Sequence, residues 1–571
     1  MESNDDTKLT WTFEAMAHHT ASAATPSYRD RRFMASAQHD FTPRPTPRRQ
    51  SRAASALERD QRHVATGFEC GPTVKPRFSH LHHAFEAQAA AHPDAIAVEH
   101  AGQSIVYWEL NRQADFLASI LVKHGVKPGD AVGLFLRRSI PMAVGILATL
   151  KAGAAYVPQD TKVVPAKLLG QVIEQSRARV ILTTSDQAAA IPNHDGCLVL
   201  EIDRLLADAH SNIVNLPTKP QTSADDRCFI LFTSGTTGRP NGVEVTHENV
   251  ANIILTTPGD LNIRPGQHVA QLLNIGFDMA AWEILGRLCN GGTLLIRGSD
   301  MTETASHADV IIATPSVLGG IDATRCQQAK TVAVAGEPCP RPLADKWAAF
   351  CTFYNSCGPT ETTIVNTMQR HHPDAELLTI GRPTPNNTVY VLGEDMKPVP
   401  FGEVGVMWAG GDCVTAGYIG NPELTAERYR PDPFLGEGRM MFNTRDLGRW
   451  TRDGELEHLG RVDDQVKIRG FRVELDSVST VLETIDGCNK AVALKFDDRH
   501  LMAFVSPAHV DVDAAYEAVA RALPYYCKPL MVIGMDDLPK TSRGKIDKRQ
   551  LLDIAKRRHE QQSDEKREIV A

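Results

Sequence analysis

The chain has 571 residues, 42% of them hydrophobic, and its 61 Lys and Arg against 69 Asp and Glu leave a net charge of −8. That length exceeds what one hydrophobic core usually organises, so two or more domains are expected, and mild acidity without a basic stripe argues against a nucleic-acid partner. The eleven cysteines are scattered with no C-x-x-C pair, which fits free thiols better than a disulfide scaffold or a zinc site.

The start, Met1 to Asp6, is acidic and lacks an apolar signal core, and no run approaches the ~18 apolar residues needed to span a bilayer. A cytoplasmic protein with no membrane partner is expected. Residues 1–75 are polar, carry a Pro/Arg/Ser stretch from Thr42 to Arg52 and show no sustained period, which reads as a disordered extension or linker. Arg44, Arg48, Arg49 and Arg52 read there as part of a solvated tail.

From Arg77 the texture becomes globular. Leu81 to Ala91 is an amphipathic helix candidate, and Ala131 to Leu136 and Val180 to Thr183 are apolar strand candidates. Strands alternating with helices imply a largely parallel α/β architecture. The pairs His82-His83 and His371-His372 lack the i, i+4 spacing or neighbouring carboxylate of a metal site and read as surface or capping histidines.

Directly after the strand candidate Cys228 to Phe232 comes Thr233-Ser234-Gly235-Thr236-Thr237-Gly238-Arg239-Pro240-Asn241-Gly242. Glycines let a backbone approach an anion and turn its N–H groups inward, and hydroxyls add donors without bulk, so this loop suits a polyphosphate. No Gly-Lys-Ser/Thr closes it, so it is not the common nucleotide loop. Further along stand Phe277-Asp278-Met279-Ala280-Ala281-Trp282-Glu283, Asn355-Ser356-Cys357-Gly358-Pro359-Thr360-Glu361 and Thr444-Arg445-Asp446-Leu447. They are followed by the segment from Gly460 to Gly470 and by Pro539-Lys540-Thr541-Ser542-Arg543-Gly544-Lys545-Ile546-Asp547.

In order and spacing this series closely resembles the adenylation domains of nonribosomal peptide synthetases, within the superfamily of acyl-CoA ligases and luciferases, over about Arg77 to Leu551. The resemblance implies an α/β fold in which a large N-terminal adenylate-forming domain, 76–462, carries a small mobile α+β C-terminal domain, 463–553, with a hinge at Asp463 and a charged tail, 554–571. It implies ATP and Mg²⁺ as cofactors. It places Lys545 between the substrate carboxylate and the α-phosphate, Thr360 on phosphate, Glu361 on Mg²⁺, Asp446 on the ribose hydroxyls and Arg461 beside them. Gly336, Asn355, Cys357 and Lys467 join the phosphate loop at the nucleotide. Charge neutralisation is the central problem for such chemistry, because two anions must meet.

Asp278 matches the residue that receives an α-ammonium, with a helix-capping Asp as the plainer alternative. Pocket positions carried over by motif are Met279, Trp282, Ile312, Ala333, Ala335, Ser356, Ile364 and Val365. Being nearly all apolar, with Trp282 as a floor, they point to a bulky hydrophobic or aromatic amino acid. Three positions depart from the family pattern: Cys357 in place of an aromatic against adenine, Asn241 in place of a lysine, with Arg239 as a partial substitute, and Arg445 in place of a glycine. After Lys545 the sequence is too short for a carrier domain of roughly 70 to 80 residues. The expected acceptor is therefore a carrier protein in trans, or coenzyme A. Two alternatives stand beside this reading: a ligase of plain carboxylic acids, and a catalytically silent binding module.

Overall fold

The computed structural model describes residues 67–208, 220–235, 239–540 and 546–570, with side chains up to residue 561. Residues 1–66 of the expected extension, the loop residues Thr236, Thr237 and Gly238, and Lys545 lie outside the described residues.

Two largely parallel sheets form the body of the large domain. The six-stranded one runs, edge to edge, through Leu198–Glu201, Val180–Thr183, Ala131–Phe135, Ala155–Gln159, Arg227–Thr233 and Asn241–Thr246, with the last strand antiparallel to its neighbour. In the nine-stranded sheet the central strands Thr352–Cys357, Thr331–Val334, Val310–Ala313, His268–Gln271 and Thr293–Ile296 are all parallel. Their apolar runs, such as Val310-Ile311-Ile312-Ala313, are buried on both faces, as a covered parallel sheet requires.

Helix Asp278–Leu288 packs on the nine-stranded sheet and touches helix His247–Ile254, which packs on the six-stranded one. From Met279 to Leu288 every residue is buried, so this helix belongs to an internal layer and shows no polar face. Glu283 within it accepts hydrogen bonds from Leu272 N (2.8 Å), Leu273 N (3.2 Å) and Gln271 Nε2 (2.9 Å). Burial pushes its carboxyl up to about 8 against those bonds. The loop that delivers Asp278 is tied down by this side chain together with Arg138 and Arg297, which donate to Leu273 O (3.0 Å) and Leu272 O (2.9 Å).

A third sheet of five strands, including Asn387–Leu392, Gly405–Gly411, Met440–Trp450 and Leu456–Arg461, completes the large domain. Residues 67–75 belong to it rather than to an extension: Gly71 N donates to Asn387 O (2.9 Å), Cys70 bridges Thr388, and Val74 N donates to Asn386 Oδ1 (2.8 Å). The pairing is too short to leave a periodic signal in the sequence.

Beyond Asp463 come the hairpin Gln465–Ile468/Phe471–Glu474 and a three-stranded sheet. Its central strand Leu501–Ser506 is buried throughout, with Leu501, Ala503 and Val505 in one cluster and Met502 and Phe504 in the other, the period of two that a sandwiched strand imposes. The second cluster takes in Leu551 and Ala555 of helix Lys548–Val570, so the boundary expected at residue 553 falls inside a helix. Phe504 is fully buried. Phe504→Ala is expected to cost about 3–5 kcal/mol of C-terminal-domain stability, measured by urea unfolding of the full chain.

Candidate functional site

The parallel strands of the nine-stranded sheet end together, and in open α/β sheets ligands bind at the carboxyl ends of strands. A cavity of about 650 Å³ lies there. Its walls include Thr233, Ser234 and Gly235, the helix start at Asp278, Gly336, the segment Asn355 to Thr360, Asp446 and Arg461. The C-terminal domain closes it with Lys467, Gly470, Phe471, Arg472 and Tyr526.

Gly235 is required by space, since a Cβ there would sit 2.1 Å from Arg239 O. Ser234 Oγ donates to Arg472 O (2.9 Å). Arg239 faces Glu174 at 3.5 Å on the surface and does not line the cavity. Asp278 does not cap its helix from the N-cap position, which Phe277 holds; its Oδ1 accepts from Met279 N (2.7 Å). Burial pushes the Asp278 carboxyl up, opposed by a hydrogen bond from Thr360 and the charge of Lys467. Burial also pushes the Lys467 ammonium down, with the Arg472 charge adding to the effect.

Glu361 is 1% exposed. Its Oε2 accepts from Arg472 Nη1 (2.8 Å), and its Oε1 from the same nitrogen (3.1 Å) and from Tyr418 OH (2.6 Å). Burial opposes ionisation, but the Arg472 and Arg428 charges and these hydrogen bonds outweigh it and hold the carboxyl down at about 2. Arg472 was absent from the sequence expectation, although it lies two residues beyond the Gly460–Gly470 motif.

Asp446 stands opposite Arg461 in the sheet and accepts from its Nη1 (2.6 Å), with His458 Nε2 at 3.4 Å. The same guanidinium donates through Nε (2.8 Å) and Nη2 (3.1 Å) to Asp463. Arg461 therefore links the expected ribose carboxylate to the expected hinge. Arg445 adopts φ +59°, the left-handed conformation that suits the glycine it replaces. It pairs with Glu427 and lies 3.6 Å from Asp463. Ile364, on the cavity wall, has φ +68°, an outlier for a β-branched residue and the kind of strain that functional sites store.

A family model described as AMP-binding enzyme matches residues 85–419. The chain is 47% identical over 483 residues to adenylate-forming reductase 06235 of Coprinopsis cinerea, covering 84% of this chain and 47% of that protein. Nonribosomal peptide synthetase sirP of Leptosphaeria maculans is 34% identical over 482 residues, covering 84% of this chain and 22% of its own length. Among solved structures, an artificially fused adenylation–PCP di-domain from Klebsiella oxytoca superposes with TM-score 0.72 at 24% identity, covering 79% of this chain and 93% of the other. A four-domain nonribosomal peptide synthetase bound to AMP and glycine gives 0.62 at 28%, covering 85% and 37%.

The chain belongs to the AMP-binding enzyme family. Its fold is that of the peptide-synthetase adenylation domains, and it spans about half the length of the Coprinopsis cinerea reductase it matches.

Within that family frame several expectations need correction. Met279, Ala335, Ser356 and Ile364 line the cavity, but Trp282, Ile312, Ala333 and Val365 do not. Those four are fully buried behind it in one apolar cluster, and the Trp282 indole donates to Gly259 O (2.7 Å). Mg²⁺ does not fit at Glu361 in this arrangement, because a guanidinium and a phenol already occupy the carboxylate. His82 and His371 are buried: His82 meets His80, His83 and His247 edge-on at ring distances of 4.3–5.5 Å, and His371 Nε2 lies 2.7 Å from Asp345. Among the described residues, none after Cys527 lines the cavity, and the position of Lys545 falls outside them.

Cys357 lines the cavity where an aromatic was expected, and burial pushes its thiol up to about 12. It stays protonated at neutral pH. Iodoacetamide at pH 7.5 is expected to label exposed Cys70 and leave Cys357 unmodified, as read by peptide mass spectrometry.

Proposed function

We propose that this adenylate-forming enzyme activates an amino acid with ATP and passes it to the phosphopantetheine thiol of a carrier protein. In the first step a carboxylate oxygen bonds to the α-phosphorus, the bond to the β-phosphate oxygen breaks, and pyrophosphate leaves with the electron pair. In the second, the thiol sulfur bonds to the acyl carbon, its proton is lost, and AMP leaves. Asp278 carries the amino-acid reading. A half-buried carboxylate at the acyl end of the cleft, raised by desolvation, gains most from a substrate that brings its own cation. Acids without an ammonium would leave that demand unmet, which disfavours a ligase of plain carboxylic acids.

Asp446 and Arg461 have the placement this reading asks of the ribose side, and Ser234 and Thr360 that of the phosphate side. These favour an active enzyme over a silent module despite the changes at 241, 357 and 445. The Mg²⁺ expected with ATP supplies charge neutralisation when bound. The name of the Coprinopsis cinerea relative favours a second reading of the later chemistry, in which the activated acyl group goes on to a reductase rather than to peptide-bond formation.

A pyrophosphate-exchange screen over amino and carboxylic acids tests the proposal. Exchange with amino acids and none with their des-amino counterparts is the expected outcome; exchange with fatty or aryl acids alone would overturn it. Asp278→Ala is expected to lower kcat/KM for the amino acid by about 100-fold, the loss of a charged hydrogen bond. Lys545→Ala is expected to lower the adenylation rate by roughly two to four orders of magnitude, as for other charge clamps, in single-turnover measurements.

A further inference from the structure

The turn that delivers Asp278 from the nine-stranded sheet is held by a residue of the six-stranded one. Strand Ala155–Gln159 is buried along its whole length, and Asp160, 6% exposed, follows at its carboxyl end on the cavity wall. Against it lies the turn Asn274 to Phe277, which leads into helix Asp278–Leu288. Asn274 Nδ2 donates to Asp160 Oδ2 (2.8 Å), while Asn274 Oδ1 accepts from Gly276 N (2.8 Å). Phe277 N donates to Asn274 O (3.0 Å), so the turn closes twice on Asn274, once through its side chain and once through its backbone. A Cβ on Gly276 would lie 3.2 Å from Asn274 Oδ1, and the glycine gives that carboxamide its room.

We infer that Asp160 is a positioning residue for the substrate α-ammonium, acting through Asn274 on the carboxylate of Asp278. The inference rests on the amino-acid reading and adds a residue to its site. A carboxamide has a donating end and an accepting end, and its partners decide which way it faces; an ionised carboxylate only accepts. Asp160 spends both oxygens in this way, Oδ1 on Lys162 N (3.0 Å) and Oδ2 on the Asn274 amide. Asn274 must therefore present Nδ2 to Asp160, which leaves Oδ1 for Gly276 N and fixes the turn in one form. Asp160 is itself anchored, since Val163 N and Val164 N donate to its carbonyl (2.9 and 3.0 Å). A buried strand thus carries its rigidity to a loop carboxylate, where a displacement of about 1 Å can cost about 100-fold in rate.

Asp160→Asn keeps the size of the side chain but turns one of the two acceptors into an NH₂ group facing a donor, whichever way the amide lies. In pyrophosphate exchange its kcat/KM for the amino acid is expected to fall about 10-fold, as for one buried donor left unmatched, with the loss in KM. Adding Asn274→Asp puts an acceptor opposite the new donor, and the double variant Asp160→Asn/Asn274→Asp should recover most of that loss. In an Asp278→Ala background, Asp160→Asn should lower kcat/KM no further, because the two act on the same contact. An unchanged KM in Asp160→Asn, or the same 10-fold loss in the Asp278→Ala background, would overturn the inference. A merely structural role would reduce the active fraction, lowering kcat and leaving KM in place. If no amino acid supports exchange, the amino-acid reading fails, and amide hydrogen exchange over residues 274–279 of the full chain still decides the clamp. Faster exchange in Asp160→Asn, slowed again in the double variant, supports it; an unchanged turn overturns it.

Discussion

A carboxylate kept ionised out of water needs positive charge beside it or it takes up a proton, and at Glu361 that charge crosses from one domain to the other. The Arg472 guanidinium satisfies it from the C-terminal hairpin, with Tyr418 completing the shell. The desolvation of such a pair is costly, so its net worth depends on good geometry and on further hydrogen bonds. What the pair secures here is placement: it holds the hairpin against the strand ends and thereby decides which groups line the cleft.

A second charge chain runs parallel to the first. Arg461 reaches from Asp446 to Asp463, and Arg445 approaches Asp463 from the other side. The carboxylate expected to read the ribose and the residue expected to act as hinge are thus held by one guanidinium. The left-handed conformation at Arg445 disfavours any residue but glycine, and its two ionic neighbours offset part of that cost in return for extending the chain to the hinge.

Which of the carried-over pocket positions reach the cavity follows from a different constraint. Helix Asp278–Leu288 is an internal layer between two sheets, so nearly everything on it packs on something. The positions nearest its start, Asp278 and Met279, remain at the cavity, while Trp282, one turn further in, fulfils its indole hydrogen bond against Gly259 and belongs to the core. Apolar character at pocket positions therefore reported on packing as much as on substrate.

The sequence by itself determined the family, the α/β class and the order of the motifs, because these depend on local chemistry: hydroxyls and glycines in a loop, alternating apolar runs, a carboxylate at a helix start. Tertiary structure alone decided which carried-over residues share a cavity and which stand behind it, since side chains distant in sequence must compete for the same volume. It also decided that Glu361 faces Arg472, 111 residues away, that residues 67–75 join a sheet rather than a tail, and that His82 lies in a buried cluster. Each of these depends on a partner brought near by the fold, and no local pattern encodes how a buried charge, an unpaired edge or an imidazole will find one.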